Sequence, residues 1–564
     1  MNEKVNLNIF KKFWNIAQLY WLGKEKKGAF TLLILLGLLL IGYTQLSVLL
    51  NRNQGELIST LAAKDEALFW SAVRSFLTVL VIYVPLFASF SYVQSKLGLY
   101  WRKWLTENFL GRYFANRSFY QLTAKYKEID NPDQRISEDI RGFTQDSLLF
   151  LLVVVQSVLQ VIAFSAVLWS ISQQLVIFLL VYAIAGTIIT TGVFGQKLIN
   201  LNFAQLKKEA NFRFGLVRVR ENSESIAFYQ GEKQEENHLK NLFNDVYQNF
   251  NSLIVWQELY LGLFVNTFEF LPYVIPAIVV APSVLSGELE VGKVSEATGA
   301  FARVFFSLNI IVSRFQSLTS FAAGVNRLST FSEFLKAENE ININSKNKPT
   351  IDTVTNGKLA TKELTLQTPN YQNTLFNNLS LELPPQQGLL IMGSSGCGKS
   401  SFLRAIAGLW NSGTGVIYRP ELEEMLFLPQ RPYMIIGTLR QQLTYPSLDK
   451  SIDDQELQDI LDIVNLGDLA TRFGGFDVEK DWGELLSLGE QQRVAFARIF
   501  INKPKYVILD EATSALDIDN EARLYHHLTL QKITYISVGH RESLKNYHQS
   551  MIKFKDDKSI AVEN

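Results

Sequence analysis

The chain carries two different hydrophobic patterns, and they meet near residue 335. Before that point, long apolar stretches recur at about Ala29–Leu50, Leu68–Tyr92, Leu148–Ile171, Leu175–Phe194, Leu253–Leu285 and Gly299–Phe321. Each approaches or exceeds the ~20 residues with which a helix crosses a bilayer, which predicts six membrane helices. The connections Lys96–Asp146 and Gly195–Asn251 are long, polar and helix-favouring, with hydrophobics at helical spacing. They predict membrane helices that run on past the bilayer, turn and return, since structureless linkers of that length are uncommon. Asn131-Pro132-Asp133 marks a turn and helix start in the first of them. Beyond 335 the long apolar runs cease and a soluble α/β pattern takes over. The expected divisions are an amphipathic segment at 1–27, a helical membrane domain at 28–335, a linker at 336–356 and an α/β domain at 357–564.

Charge then orients the membrane part. Lys11, Lys12, Lys24, Lys26 and Lys27 precede the first stretch, and both long connections are rich in Lys and Arg. Trp169–Gln174 has no positive charge and Ser286–Glu296 is mostly acidic. The positive-inside rule puts both termini in the cytoplasm. Leu7–Leu22 is aromatic and amphipathic and lacks a small-residue cleavage site, so it reads as an interfacial helix rather than a signal peptide. Charged residues make up 19% and apolar ones 48%, which suits a membrane protein with a soluble domain. The net charge is formally zero and gives no argument for a nucleic-acid partner. A single cysteine, Cys397, excludes an internal disulfide framework.

That cysteine lies in Gly393-Ser394-Ser395-Gly396-Cys397-Gly398-Lys399-Ser400, a full match to the phosphate-binding loop pattern. The glycines let successive N–H groups point at one anion. Lys399 reaches the β and γ phosphates of ATP, and Ser400 offers a hydroxyl to Mg²⁺. Gly388–Met392 reads as a buried strand before the loop and Phe402–Trp410 as the start of a helix after it. Downstream, the apolar strand Tyr506–Asp510 ends in two acids. Asp510 is placed to hold Mg²⁺ through water, and Glu511 to polarise attacking water. Gln430, after the strand Met425–Leu428, can reach the metal and the membrane-domain contacts. His540, after the strand Ile533–Val538, can donate to the γ-phosphate.

Leu486-Ser487-Leu488-Gly489-Glu490-Gln491-Gln492-Arg493 resembles the LSGGQ signature of ATP-binding cassette proteins, and Ser514-Ala515-Leu516-Asp517 resembles their D-loop. With the loop, Gln430, Asp510-Glu511 and His540, this identifies the chain as a member of that family. The resemblance implies an exporter-type membrane α-helical domain followed by a P-loop α/β ATPase. It also implies that Ser487, Gly489, Glu490 and Asp517 contact nucleotide held by another subunit. One loop and one signature per chain then imply a half-transporter acting as a dimer, most economically a homodimer. Leu488 stands where the family has its first glycine and Glu490 where it has glutamine, departures that bear on the speed of closure. For the aromatic that stacks on adenine, Tyr371 and Tyr433 both stand.

The stretches Asn131–Ile140, Arg220–Glu232 and Pro429–Met434 resemble a narrower branch. It contains the peroxisomal fatty-acyl-CoA transporters of subfamily D, SbmA/BacA-like bacterial proteins and mycobacterial-type importers of cobalamin and peptides. The resemblance implies that the first two stretches are coupling helices, and that the cargo is a cobalamin, a peptide or an acyl-CoA. Glu269, Arg303, Arg314 and Arg74 lie in apolar stretches, where ionisable groups are costly. They line a cavity, form structural pairs or sit at the headgroup level. A regulatory ATPase or ATP-gated channel is the alternative to a pump. A bacterial plasma membrane is the expected location.

Overall fold

A computed structural model of the 564-residue chain describes residues 7–125, 132–310, 314–344, 349–447, 452–555 and 560–563. Contacts divide it into two compact units, Met1–Asn344 and Ser345–Asn564.

Among the described residues of the first unit, four helices are long and apolar enough to cross a membrane: Lys26–Ala62, Glu66–Leu122, Pro132–Ile171 and Glu232–Leu285. They contain four of the six expected stretches. The fourth stretch gives a shorter apolar helix, Gln173–Gly186. The sixth falls partly on the helix Gly292–Leu308, which ends before its apolar run does, and partly on Phe315–Asn344. Side chains such as Val81, Ile162, Ile184 and Ile278 point outward and exposed, as expected of surfaces facing hydrocarbon.

The long connections are helical where described. Glu66–Phe114 alone has 49 residues, which at 1.5 Å per residue is roughly 70 Å, twice a bilayer core. Gln196–Glu221 and Glu232–Ile254 pair as a hairpin. Asn249 Nδ2 donates to the Leu201 carbonyl and Gln205 Oε1, and Phe212 packs against Phe243. The short helix Ser223–Tyr229 forms its tip, with Phe228 and Tyr229 almost fully exposed. Of the expected turn Asn131-Pro132-Asp133, Asn131 lies outside the described residues, and Pro132 is the first helical residue. Asp139 there accepts both Nε and Nη2 of Arg327, from the helix Phe315–Asn344.

Two further features shape this unit. The amphipathic helix Leu7–Trp21 packs inward: Tyr20 stacks on Trp101, Phe13 meets Phe143 and Phe321, and Lys12 Nζ bonds Asn326 Oδ1. Phe10 and Trp14 point outward, with Lys11 and Asn15 beside them. The helices Lys26–Ala62 and Gly292–Leu308 touch backbone to backbone. A Cβ on Gly292 would lie 1.9 Å from the Gly55 carbonyl oxygen, and Gly292 N donates to Ser59 Oγ at 3.1 Å. Small residues at a crossing permit such an approach.

The helix Phe315–Asn344 continues past residue 335, and a strand already begins at Asp352. The segment 336–356 therefore holds a helix end and a strand as well as chain outside the described residues. The strands of the second unit are β1 Asp352–Thr355, β2 Leu359–Gln367, β3 Thr374–Leu383, β4 Gly388–Gly393, β5 Gly413–Arg419, β6 Met425–Leu428, β7 Ile436–Thr438, β8 Glu479–Asp481, β9 Tyr506–Asp510, β10 Thr534–Val538, β11 Ser550–Phe554 and β12 Ile560–Glu563. They form sheets in the orders β1-β5-β2-β3, β12-β11-β4-β10-β9-β6 and β7-β8. In the large sheet β11, β4, β10, β9 and β6 are parallel and β12 is antiparallel. Leu389–Ile391, Val507–Leu509 and all of β10 are buried. Their unbroken apolar runs follow from a parallel sheet covered on both faces. The helix after β4 runs from Lys399 to Ile406, starting and stopping earlier than Phe402–Trp410. Glycines decide both ends: Gly398 precedes it at φ +105° and Gly408 follows at φ +71°, conformations a hydrophobic pattern does not reveal.

Candidate ATP site

Strands β4, β10, β9 and β6 are consecutive neighbours and parallel, so their C-terminal ends share one edge, where ligands bind in such sheets. The loop 393–400 follows β4, His540 follows β10, Asp510 and Glu511 end β9, and Gln430 follows β6. Four segments scattered over some 150 residues of sequence thus converge.

The loop needs its glycines. Gly393 and Gly396 adopt φ of +153° and +83°, and a Cβ on Gly393 would lie 2.6 Å from the Phe554 carbonyl oxygen. Buried Lys399 arches over the loop and donates from Nζ to the Gly393 and Ser394 carbonyls at 2.8 Å each. Its helix opens with its N–H groups toward the loop, a ready anion site. Ser395 and Cys397 complete the turn, with Cys397 half-buried.

Ser400 Oγ donates to Asp510 Oδ1 at 3.1 Å. Burial pushes the Asp510 carboxyl above its usual range and the Glu511 charge adds to this, against the Ser400 hydrogen bond and the charges of Arg404 and Lys399. A buried carboxylate beside a hydroxyl fits Mg²⁺, which keeps several waters and takes few protein oxygens. Among the described residues no cluster of three or more His, Cys, Asp or Glu forms a fuller metal cage. Glu511 stands next to it with φ of +50°, a costly conformation for a side-chain-bearing residue. Its N–H donates to the Val538 carbonyl, while Gln430 Nε2 lies 2.9 Å from Oε2 and His540 Nε2 lies 3.2 Å from Oε1.

Ser487 caps the helix Leu488–Asn502 through a capping box: its Oγ accepts from Glu490 N, and Glu490 Oε2 accepts from Ser487 N and Oγ. Burial alone would raise the Glu490 carboxyl, but Arg472 at 2.5 Å and the two Ser487 donors hold it below its usual range. A Cβ on Gly489 would meet the Ala515 carbonyl oxygen at 3.1 Å. Asp517 caps the helix Ile518–Leu530 by accepting from Asn520 N. Tyr371 lies between β2 and β3 at φ +60°, close in sequence to Leu375, whose Cβ packs 3.2 Å from the Cβ position of Gly398. Tyr433 is mostly exposed, its carbonyl accepting from Arg498 Nη1. In the first unit Arg74, Arg303 and Arg314 are exposed and Glu269 is half-buried.

Residues 16–285 match the model of ABC transporter transmembrane region 2, and residues 376–514 match the ABC transporter model. An uncharacterized ABC transporter ATP-binding protein of Synechocystis is 48% identical over 505 residues, 88% of this chain and 76% of that protein. The chain belongs to the ATP-binding cassette transporter family. It is a half-transporter, with one membrane region ahead of one ATP-binding domain. The human lysosomal cobalamin transporter ABCD4 is 31% identical over 485 residues, 80% of this chain and 79% of that one. A solved bacterial Atm1-family ABC exporter with ATP bound shares the exporter-type fold, with a TM-score of 0.72 at 18% identity over 93% of each chain.

Sequence reasoning passed over three side chains at this ABC site. Arg472 neutralises Glu490 from 18 positions away, Gln492 is fully buried, and Arg541 donates to two backbone carbonyls. Gln492 carried a signal, a polar residue in the signature stretch just ahead of the buried apolar run Val494–Ala497. Arg541 and Arg472 carried none, because their partners are set by tertiary contact.

Proposed function

We propose that two copies of this chain form an ATP-driven pump that moves a hydrophilic or amphipathic solute across a membrane by alternating access. The observation that carries the reading is Glu511, fixed by Gln430 and His540 beside the Ser400–Asp510 pair. In this reading the loop amides and Lys399 hold the β and γ phosphates, and Tyr371 stacks on adenine. Ser400, Asp510 and Gln430 would hold Mg²⁺, whose charge, when bound, would offset the charge of the transferred phosphoryl group. Glu511 takes a proton from the attacking water as the oxygen bonds phosphorus and the bond to ADP breaks. His540 donates to the γ-phosphate.

Ser487 and the amide end at Gly489 complete the site of the partner copy, and Asp517 lies at the same seam. For that, the Ser487 hydroxyl turns from Glu490 to phosphate. ATP closes the pair, hydrolysis opens it, and stretches 131–140 and 220–232 transmit the motion to the membrane helices. Glu269, Arg303, Arg314 and Arg74 then line a polar chamber. Such a lining suits cobalamin, a peptide or an acyl-CoA head group, and the cobalamin transport named for the human relative supports that class. The Lys and Arg of the N-terminal segment and the two long connections favour a cytoplasmic ATP site, and the inner membrane named for an Escherichia coli relative supports that location.

The test is Glu511→Gln in proteoliposomes. It should bind ATP, hydrolyse it at least about a hundredfold more slowly and carry no cargo. Uptake undiminished by this change would leave a regulator or channel. Stimulation of the wild-type ATPase by cobalamin, a peptide or an acyl-CoA identifies the cargo class.

A further inference from the structure

Two side chains with no role assigned so far, Gln492 at the end of the signature stretch and Arg541 after His540, tie the segment Ser514–Leu516 to both partners of Glu511. Gln492 is fully buried and spends both ends of its amide. Its Oε1 accepts from Ala515 N at 3.0 Å, and its Nε2 lies 3.0 Å from the Gln430 carbonyl and 3.2 Å from Ser514 Oγ. Arg541 directly follows His540 and forks onto the other side of the segment. It donates from Nη2 to the Ser514 carbonyl at 2.9 Å and from Nη1 to the Leu516 carbonyl at 2.7 Å. Behind it Glu521, also fully buried, lies 3.6 Å from Nη1 and accepts from Thr513 and Ser543 hydroxyls. The segment is thus gripped by the neighbour of one Glu511 partner and bonded, through Gln492, to the backbone of the other.

We propose that Gln492 and Arg541 are positioning residues that keep Gln430 and His540 aimed at Glu511, so that displacement of Ser514–Leu516 disengages the general base. A buried amide with all its bonds made is costly to disturb, and the planar guanidinium fork fixes two carbonyls at once. The proposal rests on the reading of Glu511 as general base.

The experiment compares the full-length wild type with Gln492→Met, Gln492→Glu and Arg541→Lys. It measures ATPase kcat and KM, thermal midpoint and hydrogen exchange at the Ala515 amide. Each variant should lower kcat about tenfold or more with KM for ATP within about twofold. The Ala515 amide should exchange faster in Gln492→Met but stay protected in Gln492→Glu, which keeps the acceptor and loses the donor to Gln430. Adding Gln492→Met to Gln430→Ala should cost little beyond the single change, because both act through one contact. Unchanged kcat in the variants, or a loss of kcat that follows the folded fraction with Ala515 protection intact, overturns the proposal alone. A wild-type chain that hydrolyses no ATP overturns the ATPase reading and the proposal with it.

Discussion

His548 is enclosed by the rings of Tyr525 and Tyr535, with Nδ1 2.7 Å from the Leu544 carbonyl and Nε2 2.8 Å from Ser537 Oγ. Burial drives its pKa down from 6.5 to about 4. The unfolded chain therefore binds the extra proton first, and stability of the ATP-binding unit falls as pH drops below about 6.5, levelling near 4. The loss is at most about 3 kcal/mol. Thermal midpoints measured across that range should fall for the wild type and flatten for His548→Gln. Gly393 makes a second test: with its positive φ and the Phe554 carbonyl in the way, Gly393→Ala should cost roughly 1–3 kcal/mol. It should also abolish binding of a fluorescent ATP analogue. The residues of this site were legible in sequence wherever chemistry demands a spacing, as in Gly393–Ser400 or Asp510-Glu511. Arg541 was not, since a guanidinium on a backbone carbonyl leaves no trace in residue type.

Among the elements, the helix Leu488–Asn502 depends on its reciprocal cap at Ser487 and Glu490. Glu490→Ala should destabilise the ATP-binding unit by about 1 kcal/mol, visible as a lower thermal midpoint, and Glu490→Gln by less because the amide still accepts. The Asp139–Arg327 pair fastens the start of one membrane helix to the last helix of its unit. Arg327→Ala strands a buried carboxylate and should cost about 3 kcal/mol, read as a lower melting temperature in detergent. Strands β4, β6 and β9 were readable from their apolar runs to within a residue. The inward packing of Leu7–Trp21 was not. An amphipathic stripe reports a helix with an apolar face and leaves open whether lipid or protein covers it, and here Trp101 and Phe143 do so.

At the scale of the whole molecule, the proposal that Ser487 of one copy completes the loop of another makes complementation the decisive measurement. Chains carrying Ser487→Arg keep their loop, and chains carrying Lys399→Ala keep their signature. Each alone should be inactive, whereas co-expressed copies should regain about a quarter of wild-type ATPase activity, since half the dimers hold one intact site. No recovery would mean that Ser487 serves its own loop. The two-part organisation was readable because hydropathy changes abruptly near residue 335, but the count of long apolar helices was less so. Arg303 and Arg314 dilute the sixth stretch, and its helix stops at Leu308. The contact between Gly55 and Gly292 has a mechanical corollary. Two main chains in contact, with the Gly292 amide held by the Ser59 hydroxyl, leave no clearance for one helix to ratchet past the other, so these helices travel as a single strut. Cysteines cross-linked one turn from that junction should leave turnover intact, with any flexing of the proposed transport cycle falling at other seams.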